Sequence, residues 1–169
     1  MTNNALHVRL RYLRDAEAFL ALALPGVLAF HWWRSGETVD WALRLPPAVL
    51  VGLMLLQGAH YWHLKLVSMR SREPLPAYFR PLYHSFRAAD LIALIVMTIW
   101  LAVMALRGAA KTDLAWAAAI LAFAVLEFVN YFGLQLMHDT AADFNYLRRH
   151  RRLRRAALAT DLGRLPGRT

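Results

Sequence analysis

The chain has 169 residues, of which 59% are hydrophobic and 18% charged, with a formal net charge of +9 and no cysteine. Soluble domains average about 45–50% apolar and about 25% charged residues, so this composition excludes intrinsic disorder and points to a lipid-embedded chain, while the missing cysteines exclude a disulfide scaffold and thiolate metal chemistry. The length accommodates one domain, and a basic total in an apolar chain suggests charge gathered on one side of a bilayer before it suggests nucleic acid.

Residues 1–15 read as a cytoplasmic N-terminal segment carrying Arg9, Arg11 and Arg14. Four apolar stretches follow, at 16–33, 46–67, 88–106 and 114–137, and a span needs roughly 20 residues. The first contains Pro25-Gly26 and is expected to kink there. Its apolar run is too long for the core of a cleaved leader, so it reads as a retained anchor. The first and third stretches begin beside acids, Glu17 and Asp90, each three residues after an arginine, Arg14 and Arg87. These are expected to be i,i+3 pairs fixing depth at the headgroup boundary. The connection 72–85, with Pro74, Pro76 and Pro81, argues against a long helix and for a segment lying along the headgroups. The transmembrane domain covers 16–138. After it, 139–169 reads as a basic tail, with a helix expected over 141–147 and then Arg148, Arg149, Arg151, Arg152, Arg154 and Arg155. This run is expected to meet anionic headgroups, at about 1 kcal/mol per basic residue near the surface. It lacks the stacking aromatics that single-stranded nucleic acid requires.

Lys and Arg divide 16 to 4 between the two sides of such a four-span chain. That ratio predicts an N-in, C-in protein of the bacterial inner membrane. Trp32, Trp33, Trp41 and Trp116 would form the outer aromatic belt. The predicted fold class is therefore an all-α integral membrane bundle of four transmembrane helices.

An internal match sharpens this prediction. Leu56-Gln57-Gly58-Ala59-His60-Tyr61 lies over Leu126-Glu127-Phe128-Val129-Asn130-Tyr131, and Leu13-Arg14-Asp15-Ala16-Glu17 lies over Phe86-Arg87-Ala88-Ala89-Asp90. Both offsets are about 70 residues, which suggests a tandem duplication of a two-helix hairpin, with halves about 9–68 and 80–138. Parallel repeats are related by an axis along the membrane normal. Equivalent positions would face each other across it, Gln57 opposite Glu127 and His60 opposite Asn130.

At about 100° per residue, Glu127, Asn130, Tyr131, Gln135 and His138 share one face of the fourth span, an arc about 140° wide. Gln57, His60 and Tyr61 repeat the pattern on the second span, with His63 at its edge. Glu127 and His60 each lie about 20 Å past the start of their spans. The predicted site is thus a polar cluster of Gln57, His60, Tyr61, Glu127, Asn130 and Tyr131, with His63, Gln135 and His138 as a second tier. A lone charge there costs ~2.5–3.5 kcal/mol, so Glu127 must be protonated, hydrogen-bonded or paired. His60, His63 and Glu127 form only a weak metal set. The paired Glu-x-x-His motifs of di-iron bundles are missing, as are nucleophile and phosphate-loop motifs. No metal or cofactor is expected.

Two functions of different classes fit these residues. One is a non-catalytic scaffold or assembly subunit of a membrane complex, or a homo-oligomer, in which the cluster joins helices. The other is a transporter or proton or ion conductor using Glu127 and His60. A membrane enzyme acting on a lipid-soluble substrate ranks behind both.

Overall fold

The structure is a computed structural model that describes residues 3–137, 145 and 148–163. Its described elements are helices: α1 (Asn3–Arg34), α2 (Trp41–Ser71), α3 (Phe79–Leu106), α4 (Lys111–Phe132) and a short α5 (Ala157–Gly163). Of these, α2, α3 and α4 are each long and apolar enough to cross a membrane.

Successive long helices alternate in direction. At one end gather the start of α1, the end of α2 and the end of α4, around Leu10, Lys65 and Gln135. At the other end Trp32, Trp41, Arg44, Asp113 and Trp116 come together.

Helix α2 is the hub, with buried residues on most of its circumference. Its neighbours each turn one stripe inward. On α1 this stripe runs through Leu10, Glu17, Ala21, Leu24, Leu28 and Trp32, at the three- and four-residue steps of a helical face. On α3 it runs through Phe79, Tyr83, Asp90 and Leu94, and on α4 through Asp113, Ala117, Ile120, Ala124 and Tyr131. The outer faces are apolar too: Leu91, Ile92, Ile95, Val96 and Ile99 of α3 are all exposed. An exposed face of this kind suits lipid.

Several element boundaries differ from the sequence expectation. α1 runs unbroken through Pro25 and Gly26. The segment 72–85 is not free of a long helix, because α3 already begins at Phe79. Pro81 sits in its first turn, where a missing N–H removes no helical hydrogen bond. α4 ends at Phe132 rather than near Met137. There the returning tail offers backbone partners: Gln135 N donates to Arg154 O at 2.8 Å, and Ala156 N donates to Gly133 O at 3.0 Å. The expected single helical arc therefore stops at Tyr131, and Gln135 does not belong to it. Within the tail, α5 packs against the bundle through Leu158, Ala159 and Asp161.

Candidate functional site

The polar side chains inside the bundle centre on Gly58 of α2. A Cβ at this position would collide with the Glu17 carboxylate and the Tyr131 hydroxyl, so α1 and α4 approach α2 closely only because residue 58 is glycine. Glu17 Oε1 accepts from Trp62 Nε1 at 2.8 Å. Its other oxygen and the Tyr131 hydroxyl are both buried against Gly58. Glu127 lies beside Asn130 and within electrostatic reach of Glu17. Asn130 Oδ1 in turn accepts from Leu136 N at 3.0 Å, which helps end α4.

On the other side of α2 a second group forms with α3. Gln57 Nε2 donates to Asp90 Oδ1 at 3.0 Å, and Asp90 is only 3% exposed. Tyr83 donates its hydroxyl proton to the Gln57 carbonyl at 2.8 Å, and the same hydroxyl lies 3.1 Å from His60 Nδ1. A tyrosine has one proton to give, so Nδ1 of His60 must carry the proton in its own bond to Tyr83.

Tyr61 goes a third way. Its hydroxyl donates to Asp161 Oδ2 of α5 at 2.7 Å, and Lys65 donates to the same oxygen. Asp161 thus ties α5 to the end of α2.

The predicted six residues therefore lie around one level of α2, but they do not form one axial cluster. Gln57 and His60 take partners from α3, Glu127, Asn130 and Tyr131 gather near α1, and Tyr61 faces the tail. Hydrogen bonding does not pair Gln57 with Glu127 or His60 with Asn130. The helices explain this difference, since Asp90 and Tyr83 of α3 reach α2 first. His63 is exposed. Among the described residues no three His, Asp or Glu side chains converge as a metal site, so the weak set of His60, His63 and Glu127 does not assemble. Gln135 lies beyond α4, and its amide donates to Met137 O at 3.0 Å. His138 and most of 141–147 lie outside the described residues. Arg148, Arg149, Arg151, Arg152, Arg154 and Arg155 are exposed.

The acids expected at the headgroup boundary are corrected as well. Arg14 pairs with Asp15 at 2.6 Å instead of with Glu17. Glu17 and Asp90 both turn inward to α2. These two acids, together with Tyr83, are the site residues the sequence reading missed. Their signal was their place on the inward stripes, four residues before Ala21 and before Leu94.

Two further features complete the interior. At the end opposite Lys65, Arg44 Nε donates to Asp113 Oδ1 at 2.6 Å, with both side chains almost fully buried. The Arg44 guanidinium also lies 5.6 Å from the ring of Trp32 and 5.9 Å from that of Trp116. Arg44 is thus an inter-helix tie between α2 and α4. At the Lys65 end a partly enclosed cavity of about 240 Å³ lies between α1, α2, the end of α4 and the returning tail. Glu17, Asn130 and Tyr131 of the long helices line it together with Arg154 and Leu158 of the tail.

No protein-family model, curated protein or solved structure matches this chain. The class that fold and site define is an all-helical protein with three helices able to cross a membrane and a polar interior joined by inter-helix hydrogen bonds.

Proposed function

We propose that the chain is a non-catalytic subunit of a bacterial inner membrane, a four-span bundle with both termini in the cytoplasm that holds or assembles other membrane components. α1 is the fourth span: it has 32 residues, about 48 Å of helix, and exposes Phe19, Leu22, Val27 and Phe30 along its outer side. A tandem duplication accounts for one otherwise unexplained regularity. Glu17 and Asp90 occupy matching positions in the two halves, and each meets the second helix of the other half, through Tyr131 and Gln57 respectively.

The observation that carries the non-catalytic reading is where the polar groups spend their hydrogen bonds. Gln57 with Asp90, His60 with Tyr83, Trp62 with Glu17 and Arg44 with Asp113 all join one long helix to another. Bonds of this kind stabilise helix association in lipid by about 1 kcal/mol each. The Arg44–Asp113 pair and its tryptophans also fill the bundle end opposite the cavity.

One observation favours conduction of protons or cations as a second reading: the Glu17 and Glu127 carboxylates lie within reach of each other beside the Tyr131 hydroxyl. Ion and proton flux in proteoliposomes separates the two. Subunits of the proposed kind leak no more than protein-free vesicles, and Glu127→Gln changes nothing. A flux above background that Glu127→Gln abolishes would replace the scaffold with the conductor.

A further inference from the structure

Residues 154–163 of the returning tail form a small unit that is attached to the bundle rather than woven into it. The unit is closed on itself: Thr160 Oγ1 donates to Ala156 O at 2.9 Å, and the Arg155 guanidinium lies beside Gly163 at the end of α5. It meets the bundle at two fastenings. Beside the end of α4, Gln135 N donates to Arg154 O and Ala156 N donates to Gly133 O. At the end of α2, one oxygen of the buried Asp161 carboxylate accepts from both Tyr61 and Lys65. Between the fastenings, Ala156, Leu158 and Ala159 are buried.

This hold is slight beside that of the long helices. α5 has seven residues, fewer than the about 12–15 at which an isolated helix becomes even marginally stable, so its helical form depends on its contacts. Two of the three buried apolar side chains of the unit are alanines, and packing strength follows the apolar area withdrawn from water. Elements with few buried apolar contacts open well before the whole fold does. The carboxylate of Asp161 is the strongest fastening on chemical grounds, because hydrogen bonds to a charged group exceed those between neutral ones.

What the unit covers gives its opening a consequence. Four of its residues, between Arg154 and Leu158, line the cavity together with Glu17, Asn130 and Tyr131. With the unit lifted, the cavity loses that part of its wall and water reaches Glu17, whose bond to Trp62 is stronger in dry surroundings. We infer that residues 154–163 are a displaceable cap, latched by Asp161, that shuts the Lys65 end of the bundle over Glu17. The cap adds control of access to the interior, and it holds whether the buried acids only join helices or also conduct.

Thiol labelling of the full chain in nonionic detergent tests the cap, since the chain has no cysteine of its own. Leu10→Cys places a reporter in the cavity, where Leu10 is buried. Ala124→Cys, buried on the inward stripe of α4, reports on the bundle as a whole. With sulfonatoethyl methanethiosulfonate, Leu10→Cys should react slowly in the parent. Adding Asp161→Asn should speed that reaction about tenfold, the effect of losing hydrogen bonds to a charged group, and leave Ala124→Cys unchanged. Tyr61→Phe, which removes one of the two donors to the latch, should speed it less. In hydrogen exchange the amides of 157–163 should exchange faster than those of α2 and α4 in the parent, and faster again in Asp161→Asn. Leu10→Cys reacting in the parent as fast as an exposed Ser71→Cys would overturn the cap, because the cavity would then be open with the tail in place. No gain in Asp161→Asn would deny the latch. An equal gain at Ala124→Cys, or amides in 157–163 as slow as those of α2, would make the tail part of the core fold and not a displaceable piece.

Discussion

Gly58 shows how one residue can set the distance between three helices. In an ordinary helix interior, Gly→Ala is stabilising by about 1 kcal/mol. Here the added methyl would meet the Glu17 carboxylate and the Tyr131 hydroxyl, and forcing atoms into a packed interior costs about 1–3 kcal/mol. Gly58→Ala should therefore lower the thermal midpoint of the detergent-solubilised protein, with the sign opposite to propensity. A raised midpoint would mean that α1 and α4 do not close on α2 at this level. Glu127 poses the complementary case. Glu127→Gln keeps a hydrogen-bonding side chain beside Asn130 while removing a carboxylate that shares its surroundings with Glu17. If the cluster only joins helices, this variant should be at least as stable as the parent in the same melt. Glu127→Leu should be less stable than Glu127→Gln, because it strands neighbouring polar groups.

Whole elements are tied by two ion pairs that differ in setting. Arg44 and Asp113 join α2 to α4 with both side chains buried. Removing one partner of such a pair typically costs about 3–5 kcal/mol, while replacing both by apolar residues of similar volume is often neutral. Arg44→Met alone should unfold at markedly lower temperature, and Arg44→Met with Asp113→Leu should recover most of the loss. A double variant no better than the single would deny that the pair is a unit. Lys65 and Asp161 join α2 to α5 at the more exposed end. Asp161→Asn should release α5 and speed tryptic cleavage after Arg154 and Arg155 while leaving the melt of the long helices nearly unchanged.

The same elements show what the sequence made legible. The helical class and the core segments of α2, α3 and α4 follow from runs of apolar residues, and the inward placing of Glu127 and Tyr131 follows from periodicity. The ends did not follow. Hydropathy places a span's start where charge stops, near residues 16 and 88, yet α1 and α3 continue below those points to Asn3 and Phe79. Acids taken for boundary anchors are therefore interior groups. The partners of Gln57 and Tyr61 depend on which helix or tail reaches α2 first, and local spacing does not encode that. Arg44 was hidden for the same reason, since its meaning lies in Asp113, far away in sequence on α4.

For the molecule as a whole, charge and geometry point in one direction. The starts of α1 and α3 and the ends of α2 and α4 share one pole of the bundle, and the arginine-rich segments leave from that pole. Trp32, Trp41 and Trp116 sit at the other. If basic segments stay on the cytoplasmic side, every described connection has a side that can be checked, and a chain without cysteine gives a clean background for labelling. Ser35, between α1 and α2, and Ser71, at the end of α2, are both exposed, so either tolerates a cysteine without disturbing the core. In intact cells with a permeable outer membrane, Ser35→Cys should react with a membrane-impermeant maleimide, and Ser71→Cys should react only after the inner membrane is broken. Labelling of both in intact cells would remove α2 as a span. The reverse pattern would invert the bundle, placing the cavity at its Lys65 end against the outer leaflet and its tryptophan-covered ion pair against the cytoplasm. Protection of both would place Ser35 and Ser71 together on the cytoplasmic side and would equally remove α2 as a span, since the two residues flank it.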